Sequence, residues 1–309
     1  FLMIRVPLRF TFFLFTTLFR SRSVSLSSTI MAISLGVSPA LASDPVVDPS
    51  VKFSGIISGW AGVGQSDSTD AGLDQDSLYG FGGDARVSTF DPSGFGVQLD
   101  ARGEFLYEFP LENSAIFETG AHLIYSDMQN FAVGAFGGLG YSELPADNSD
   151  VTYIMYGLEG AYYAGAFKLF GQAGLTNFIA TNDSNSDLFR DAWFARAGAG
   201  YSFNASTAIS GDLTYTAGTT DSQFDPDDGY GLTWNVELER QFTSNASGFV
   251  GYSGSYFTNT ADDTNYSDNI FKLGFKFRLG ANSIQQSEKY VPFDLPNIGR
   301  AYAVTEEVD

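Results

Sequence analysis

Residues 95–109, FGVQLDARGEFLYEF, can fold in few ways. Phe95, Val97, Leu99, Ala101, Gly103, Phe105, Tyr107 and Phe109 take the odd positions, and Gln98, Asp100, Arg102, Glu104 and Glu108 the even ones. A period of two sends these sets to opposite faces of one extended strand. A soluble sandwich would hide the apolar face against a second sheet. Here the length, the terminal aromatics and the ionic second face predict a strand with lipid on one side and a water-filled or polar interior on the other.

The alternation recurs over 51–63, 79–90, 115–125, 131–141, 152–164, 167–175, 193–203, 207–217, 230–242, 248–256 and 270–279. These segments approach the about 9–11 residues that a tilted strand needs to cross a bilayer. Links are short near 91–94, 127–130, 165, 204–206 and 243–247, and long, polar and acidic near 64–78, 143–150, 180–190, 218–229 and 258–269; only 110–113 departs from the rhythm. Short turns at one end and long loops at the other are the asymmetry of an outer-membrane barrel. The expected fold is therefore all-β, a transmembrane antiparallel up-and-down β-barrel of about 12 strands with short periplasmic turns and longer acidic extracellular loops. Tyr107, Phe109, Tyr141, Tyr230 and Tyr256 at the long-loop ends, and Phe90, Phe95, Phe131, Phe203 and Phe242 at the short-turn ends, read as two interfacial girdles.

The chain has 36 Asp and Glu against 16 Lys and Arg, and no Cys. That balance excludes a nucleic-acid partner, whose phosphates call for cations. Thiol chemistry and disulfides are excluded as well. Residues 1–42 hold Arg5, Arg9, Arg20 and Arg22, no acid, two short apolar runs and the small-x-small site Ala40-Leu41-Ala42, which together read as a removed signal peptide. Without those four arginines, 12 basic residues face 36 acidic ones. The expected organisation is 1–42 signal peptide, 43–50 N-terminal lead, 51–280 transmembrane barrel and 281–309 periplasmic C-terminal tail.

Lys272-Leu273-Gly274-Phe275-Lys276-Phe277-Arg278-Leu279 resembles the last-strand signal by which Gram-negative barrels are recognised for insertion, with Lys272, Gly274, Phe277 and Leu279 at the matching positions. That signal usually ends its chain, whereas here 30 residues follow. Residues 51–63 with 79–109 resemble, in style, the general porins of photosynthetic and related α-proteobacteria. Those porins have more strands and a long third loop folded inside, and no loop here is long enough for that. The resemblance implies a porin-like barrel in the outer membrane of a Gram-negative bacterium. Its implied partners are membrane lipids and lipopolysaccharide, the barrel assembly machinery and small solutes, with self-association left open.

On the inner face, antiparallel pairing across 110–113 is expected to set Asp100 opposite His122 and Glu104 opposite Glu118. The turn at 91–94 brings Asp84 and Arg86 beside residues 98–102. Asp84, Arg86, Asp100, Arg102, Glu104, Glu118 and His122 then form one charged wall. Lys168, Arg196, Glu237, Glu239, Lys272, Lys276 and Arg278 come from other strands, which suggests a transverse field that filters solutes. The alternative is a salt-bridge network that plugs the barrel. Inward Phe136, Phe170, Phe194, Phe249 and Phe257 fit either role.

His122 is the single histidine, and its same-face neighbours at 120 and 124 are Gly and Ile, so no nucleophile–base pair is expected and no catalysis. Asp225-Pro226-Asp227-Asp228-Gly229 lacks the later Glu of a calcium loop. Neither a metal nor a cofactor is called for. For the tail, disorder, a periplasmic partner and insertion as a plug all stay open. The expected function is passive diffusion of small hydrophilic solutes with mild cation preference. A filled-lumen structural or surface-interaction barrel is the alternative, and a lipid-modifying barrel enzyme a more distant one.

Overall fold

The computed structural model describes residues 52–68, 76–109, 113–143, 150–181, 189–220, 227–259 and 265–300. The leader, the N-terminal lead, the tips of the long loops and residues 301–309 lie outside the described residues, as do the expectations placed on them.

Twelve strands form: β1 (Lys52–Ser68), β2 (Asp76–Phe90), β3 (Phe95–Phe109), β4 (Asn113–Ser126), β5 (Phe131–Glu143), β6 (Asp150–Ala164), β7 (Phe167–Thr181), β8 (Phe189–Asn204), β9 (Thr207–Thr220), β10 (Asp227–Gln241), β11 (Ala246–Asn259) and β12 (Asn265–Leu279). Each pairs antiparallel with its chain neighbours, and β12 returns to β1 to close the barrel. Closure leaves no unpaired edge, the condition for a sheet in hydrocarbon. The strands run further into the long-loop side than the apolar pattern indicates. β1 continues to Ser68 and β10 already begins at Asp227. Backbone pairing does not need apolar side chains, so the ladder outlasts the hydrophobic belt. Among the described residues no cluster of three His, Cys, Asp or Glu is arranged to hold a metal ion.

Register between β3 and β4 differs from the expected one by two residues. Arg102 lies opposite Glu118, Asp100 opposite Gly120 and Gln98 opposite His122. The expected pairing would have put Glu104 against Glu118, and like charges directly opposite are destabilising. The observed register sets a guanidinium against a carboxylate instead. Between β2 and β3, Asp84 pairs with Arg102 and Arg86 with Asp100, as the 91–94 turn requires.

Outward rows such as Val97, Leu99, Leu123, Val133, Leu158, Leu213, Leu273 and Phe275 are exposed around the barrel. An apolar surface continuous over every strand is tolerable only against lipid. Leu158, in the middle of β6, is 69% exposed. Its replacement by Arg should cost about 2–4 kcal/mol in a bilayer, read by urea unfolding from lipid vesicles. A change near zero there would contradict the lipid-facing assignment. Phe95, Phe203 and Phe242 stand outward at the short-turn rim. Phe90, expected beside them, points inward and is buried with Ile124, Ala132, Ala161 and Tyr163. Its even position shares the parity of Asp84, Arg86 and Ser88, and that parity decides its face.

Two of the short turns are built by carboxylates. Asp127 Oδ1 accepts from the amides of Gln129, Asn130 and Phe131 at 2.7–2.9 Å. Burial opposes its ionisation, but these N–H donors prevail and hold the carboxyl below the usual range. Asp91 is likewise lowered, chiefly by the Ser93 hydroxyl.

After β12 the chain turns inward. Gly280 has φ +73°, and a Cβ there would lie 2.1 Å from the Phe53 carbonyl oxygen, so a side chain is excluded from this pivot. A helix, α1 (Ile284–Tyr290), follows, its Ser283 hydroxyl accepting from the Gln286 amide at 3.2 Å. Lys289 reaches the Gln129 carbonyl in the β4–β5 turn, at the short-turn rim. Arg300 reaches Asp268, three residues from the start of β12 at the other rim. Fully extended, the ten residues 291–300 would reach about 33–36 Å, against the about 30 Å of a bilayer's hydrocarbon. The tail thus threads most of the barrel's height from inside. Of the three roles left open for it, the described residues show insertion.

Candidate functional site: the occupied lumen

The sequence around the tail explains its path. Pro292 and Pro296 have no N–H to satisfy and fix φ, so this segment gives up little entropy on docking. Its carbonyls are met by a ladder of side-chain donors from the wall. Ser88 donates to the Tyr290 carbonyl, Lys168 to Pro292 at 2.8 Å, Gln98 to Phe293 at 2.8 Å and Gln172 to Asp294 at 2.8 Å. Arg102 donates to Leu295 at 3.3 Å and Pro296 at 3.1 Å. Apolar side chains fill the intervals. Phe293 packs with Phe90, Ile124 and Tyr163, while Leu295 and Ile298 pack with Phe136, Tyr153, Phe194 and Phe257. Four of the five inward phenylalanines are buried, and three of them (Phe136, Phe194 and Phe257) form this seat directly. Glycines make room: a Cβ on Gly120 would approach Leu295 Cδ2 to 2.7 Å.

All fourteen wall residues singled out from the sequence lie on strands at inward parity; the structure gathers thirteen of them into separate ionic groups, while Lys168 meets the Pro292 carbonyl and the Phe170 ring. His122 is fully buried, with Nδ1 2.8 Å from Glu159 Oε1 and Nε2 3.3 Å from Asp100 Oδ2. Gln98 and Gln172 donate to the same two carboxylates at 2.7 and 3.0 Å. The ring stacks between Phe136 and the tail's Phe293, at 5.6 and 6.4 Å between centroids. Glu118 receives Arg102, the Tyr153 hydroxyl at 2.7 Å and the Gly299 amide at 3.1 Å. Arg300 joins Glu104 at 2.6 Å to Asp268 at 2.9 Å, with Lys272 3.8 Å from Glu104 and 4.1 Å above the Trp60 ring.

Further along β12 and around the barrel, Arg278 donates to Glu239 at 2.7 Å, to Ser247 at 2.7 Å and to the tail's Ser287 at 2.8 Å. Lys276 contacts Glu237 and lies 3.6 Å from Glu239. Arg86 pairs with Asp84 at 2.9 Å, and Ser58 donates to that carboxylate. Arg196 donates from Nε to Asp212 at 2.8 Å and from Nη1 and Nη2 to the two oxygens of Asp294 at 2.9 and 3.1 Å.

The transverse field expected across the lumen is therefore largely replaced by local pairing. Burial explains this, because an ion out of water must find its counter-ion within contact distance. The residues that sequence reasoning left out of the site are the partners: Gln98, Tyr153, Glu159, Gln172, Asp212, Asp268, Asp294 and Arg300. Glu159, Gln172 and Asp212 sit at inward parity, a signal sufficient to include them. Asp294 and Arg300 lie in a segment without strand alternation, and only their flanking apolar residues hinted at burial.

The tail leaves one side of the lumen free. A polar cavity of about 210 Å³ open to water lies between Glu288, Val291, Asp294 and Asn297 of the tail and a wall that includes Trp60, Arg86, Asp212, Asn235, Glu237 and Lys276. An eight-stranded barrel is filled by its side chains and wide aqueous pores take about sixteen strands. Twelve strands with a tail inside leave this narrow space between those limits.

The assembly-signal residues occupy β12, the closing strand. Lys272 faces the lumen, and Phe277 and Leu279 face outward. A Cβ at Gly274 would fall 2.3 Å from the Phe249 ring, so that position is kept bare for an inward aromatic.

No protein-family model and no curated protein matches the chain. Among solved structures it is similar to an outer-membrane channel from Pseudomonas putida F1, at 14% identity over 77% of this chain and 100% of that one, with a TM-score of 0.51. The translocator domain of the autotransporter NalP from Neisseria meningitidis is similar at 12% identity over 74% and 88% of the two chains, with a TM-score of 0.45. The KdgM porin follows at 13% identity over 71% and 98%, with a TM-score of 0.39. At these identities the likeness is one of fold, an outer-membrane β-barrel.

Proposed function

We propose that the chain is a passive channel in the outer membrane of a Gram-negative bacterium, admitting small hydrophilic solutes past its own C-terminal tail. The observation that carries this reading is the water-open polar cavity beside the tail, inside a barrel whose outer surface is apolar. Charged walls in such a space replace part of a solute's hydration and reject what is too large. The acidic balance of the chain favours cations at the mouth, which supports a mild cation preference with the tail seated. Outer-membrane lipids and lipopolysaccharide surround the barrel in this reading, and the assembly machinery recognises Lys272, Gly274, Phe277 and Leu279. His122 contacts two carboxylates and two phenylalanine rings, an environment suited to holding a structure rather than to catalysis.

A second reading has its own support. The ion pairs and carbonyl ladder that hold the tail are what a permanently filled, structural barrel would display. Planar-bilayer recording separates the two. The channel reading expects small discrete conductance steps from the full-length protein, with a reversal potential displaced toward cations in a salt gradient. A membrane that stays silent at protein densities where the barrel is folded and inserted would leave the structural reading.

A further inference from the structure

Seven basic and seven acidic side chains line the cavity beside the tail, and two of the acids, Glu288 and Asp294, belong to the tail. The wall alone therefore offers seven cations against five carboxylates at this place. Arg102 is met by Glu118 behind the lining, and the tail adds the carboxylates of Glu288 and Asp294 to this place.

Arg196 explains the place of Asp294. Its Nε is held by Asp212 on the neighbouring strand, 2.8 Å away, and this fixes the plane of the guanidinium. The other edge presents Nη1 and Nη2 to the lumen, where they grip both oxygens of Asp294 at 2.9 and 3.1 Å. Two parallel N–H donors onto two carboxylate oxygens is the geometry that selects carboxylates over spherical anions. Gln172 Oε1 accepts from Nη1 at 3.1 Å and keeps the fork oriented, whether or not Asp294 is present. Lys168 stands beside it with the Pro292 carbonyl and the Phe170 ring as its neighbours.

We propose that this nest is a carboxylate-binding site of the lumen, and that Asp294 occupies it as a tethered stand-in for a small organic carboxylate that displaces the tail. The inference rests on the channel reading for the passage of a solute and names an organic anion as the class that unseats the tail; the cation preference belongs to the lumen with the tail seated. A site of this kind couples occupancy to passage: the anion that takes Arg196 from the Asp294 carboxylate removes the bidentate contact of the segment narrowing the lumen and leaves it to the carbonyl ladder and Arg300. Since ligand and Asp294 compete for one fork, free carboxylate raises the released population of the tail by a factor of 1 + [L]/Kd.

The chain has no cysteine, so one introduced thiol reports the tail alone. Val291 is buried, lines the cavity and is close to cysteine in size. The experiment uses the full-length Val291→Cys protein, folded in detergent, and follows maleimide labelling against added succinate. Labelling should accelerate about tenfold when succinate reaches ten times its dissociation constant. Succinamide, and sodium chloride at matched ionic strength, should leave the rate unchanged. In the Arg196→Gln background the thiol should label fast without succinate and show no further response. Should that variant not fold, Asp294→Asn, which keeps the nest and removes the competitor, should behave in the same way.

Equal acceleration by chloride, no response to succinate, or a succinate response that survives Arg196→Gln would each overturn the site. Leu295→Cys, also buried, repeats the readout at a second position. Labelling needs no conduction, so a silent bilayer beside a positive labelling result would remove the channel and keep the site. Discrete conductance without a succinate response would do the reverse.

Discussion

Deletion of residues 281–309 should raise the single-channel conductance several-fold while leaving the barrel folded. The strands close through β12 pairing with β1, and every ladder that makes the barrel is complete by Leu279. The described part of the tail adds nothing to these ladders; each of its bonds to the wall involves a side chain, of the wall or of the tail itself. Removing it vacates the path from the short-turn rim to Asp268 and lets water reach Arg102, Glu104, Glu118 and Arg196. Folding of the shortened barrel is checked by resistance to unfolding in detergent before gel electrophoresis. A folded, inserted deletion variant with the conductance of the parent would show that the tail is not the obstruction.

His122→Ala should be the most damaging single change in the wall. The imidazole lies between Asp100 and Glu159, both buried, and is the cation nearest to each. Removing one partner of a buried pair costs about 3–5 kcal/mol, because the remaining charge has neither water nor counter-ion. Here two carboxylates lose their ring contact at once, and among the described residues Gln98 and Gln172 remain as their hydrogen-bond donors. Urea unfolding of the reconstituted barrel measures the loss. Replacing Asp100 by Asn and Glu159 by Gln in the same variant should recover much of it, since a neutral network avoids the desolvation cost. A loss below about 1 kcal/mol would indicate that water reaches the pair.

The barrel was legible from one strand because its physics is local. The alternation of Leu99 and Asp100, or of Leu273 and Lys272, fixes which face each side chain takes without any knowledge of its partners. That is why all fourteen wall residues fall on the lumen side. What the alternation does not contain is pairing across strands. The two-residue slip between β3 and β4 arose from the length of the link at 110–113, which composition leaves open, and the Arg102–Glu118 contact decided it. Phe90 was misplaced by treating an aromatic near a turn as interfacial, when its parity with Ser88 already pointed inward.

The tail was harder to read because its signal is not periodic. Val291, Phe293, Leu295 and Ile298 suggest burial, but in what, the sequence does not say. The answer lies in residues two hundred positions away: Gln98 for the Phe293 carbonyl and Glu104 for Arg300. Such contacts are set by closure of the barrel, and no local pattern announces them. The paired charges of the wall follow the same rule. Each was visible as a charge, and its partner was not.

Trypsin reads directly whether the tail lies inside the folded barrel. Arg300 is 1% exposed, with its guanidinium held by Glu104 and Asp268, so the protease cannot reach it while the tail is seated. Intact-mass analysis of folded, reconstituted protein after limited digestion should show the bond after Arg300 uncut, and urea-unfolded protein should lose it. Rapid loss of the residues beyond Lys289 or Arg300 from the folded barrel would place the tail outside, and the occupied lumen would have to be abandoned.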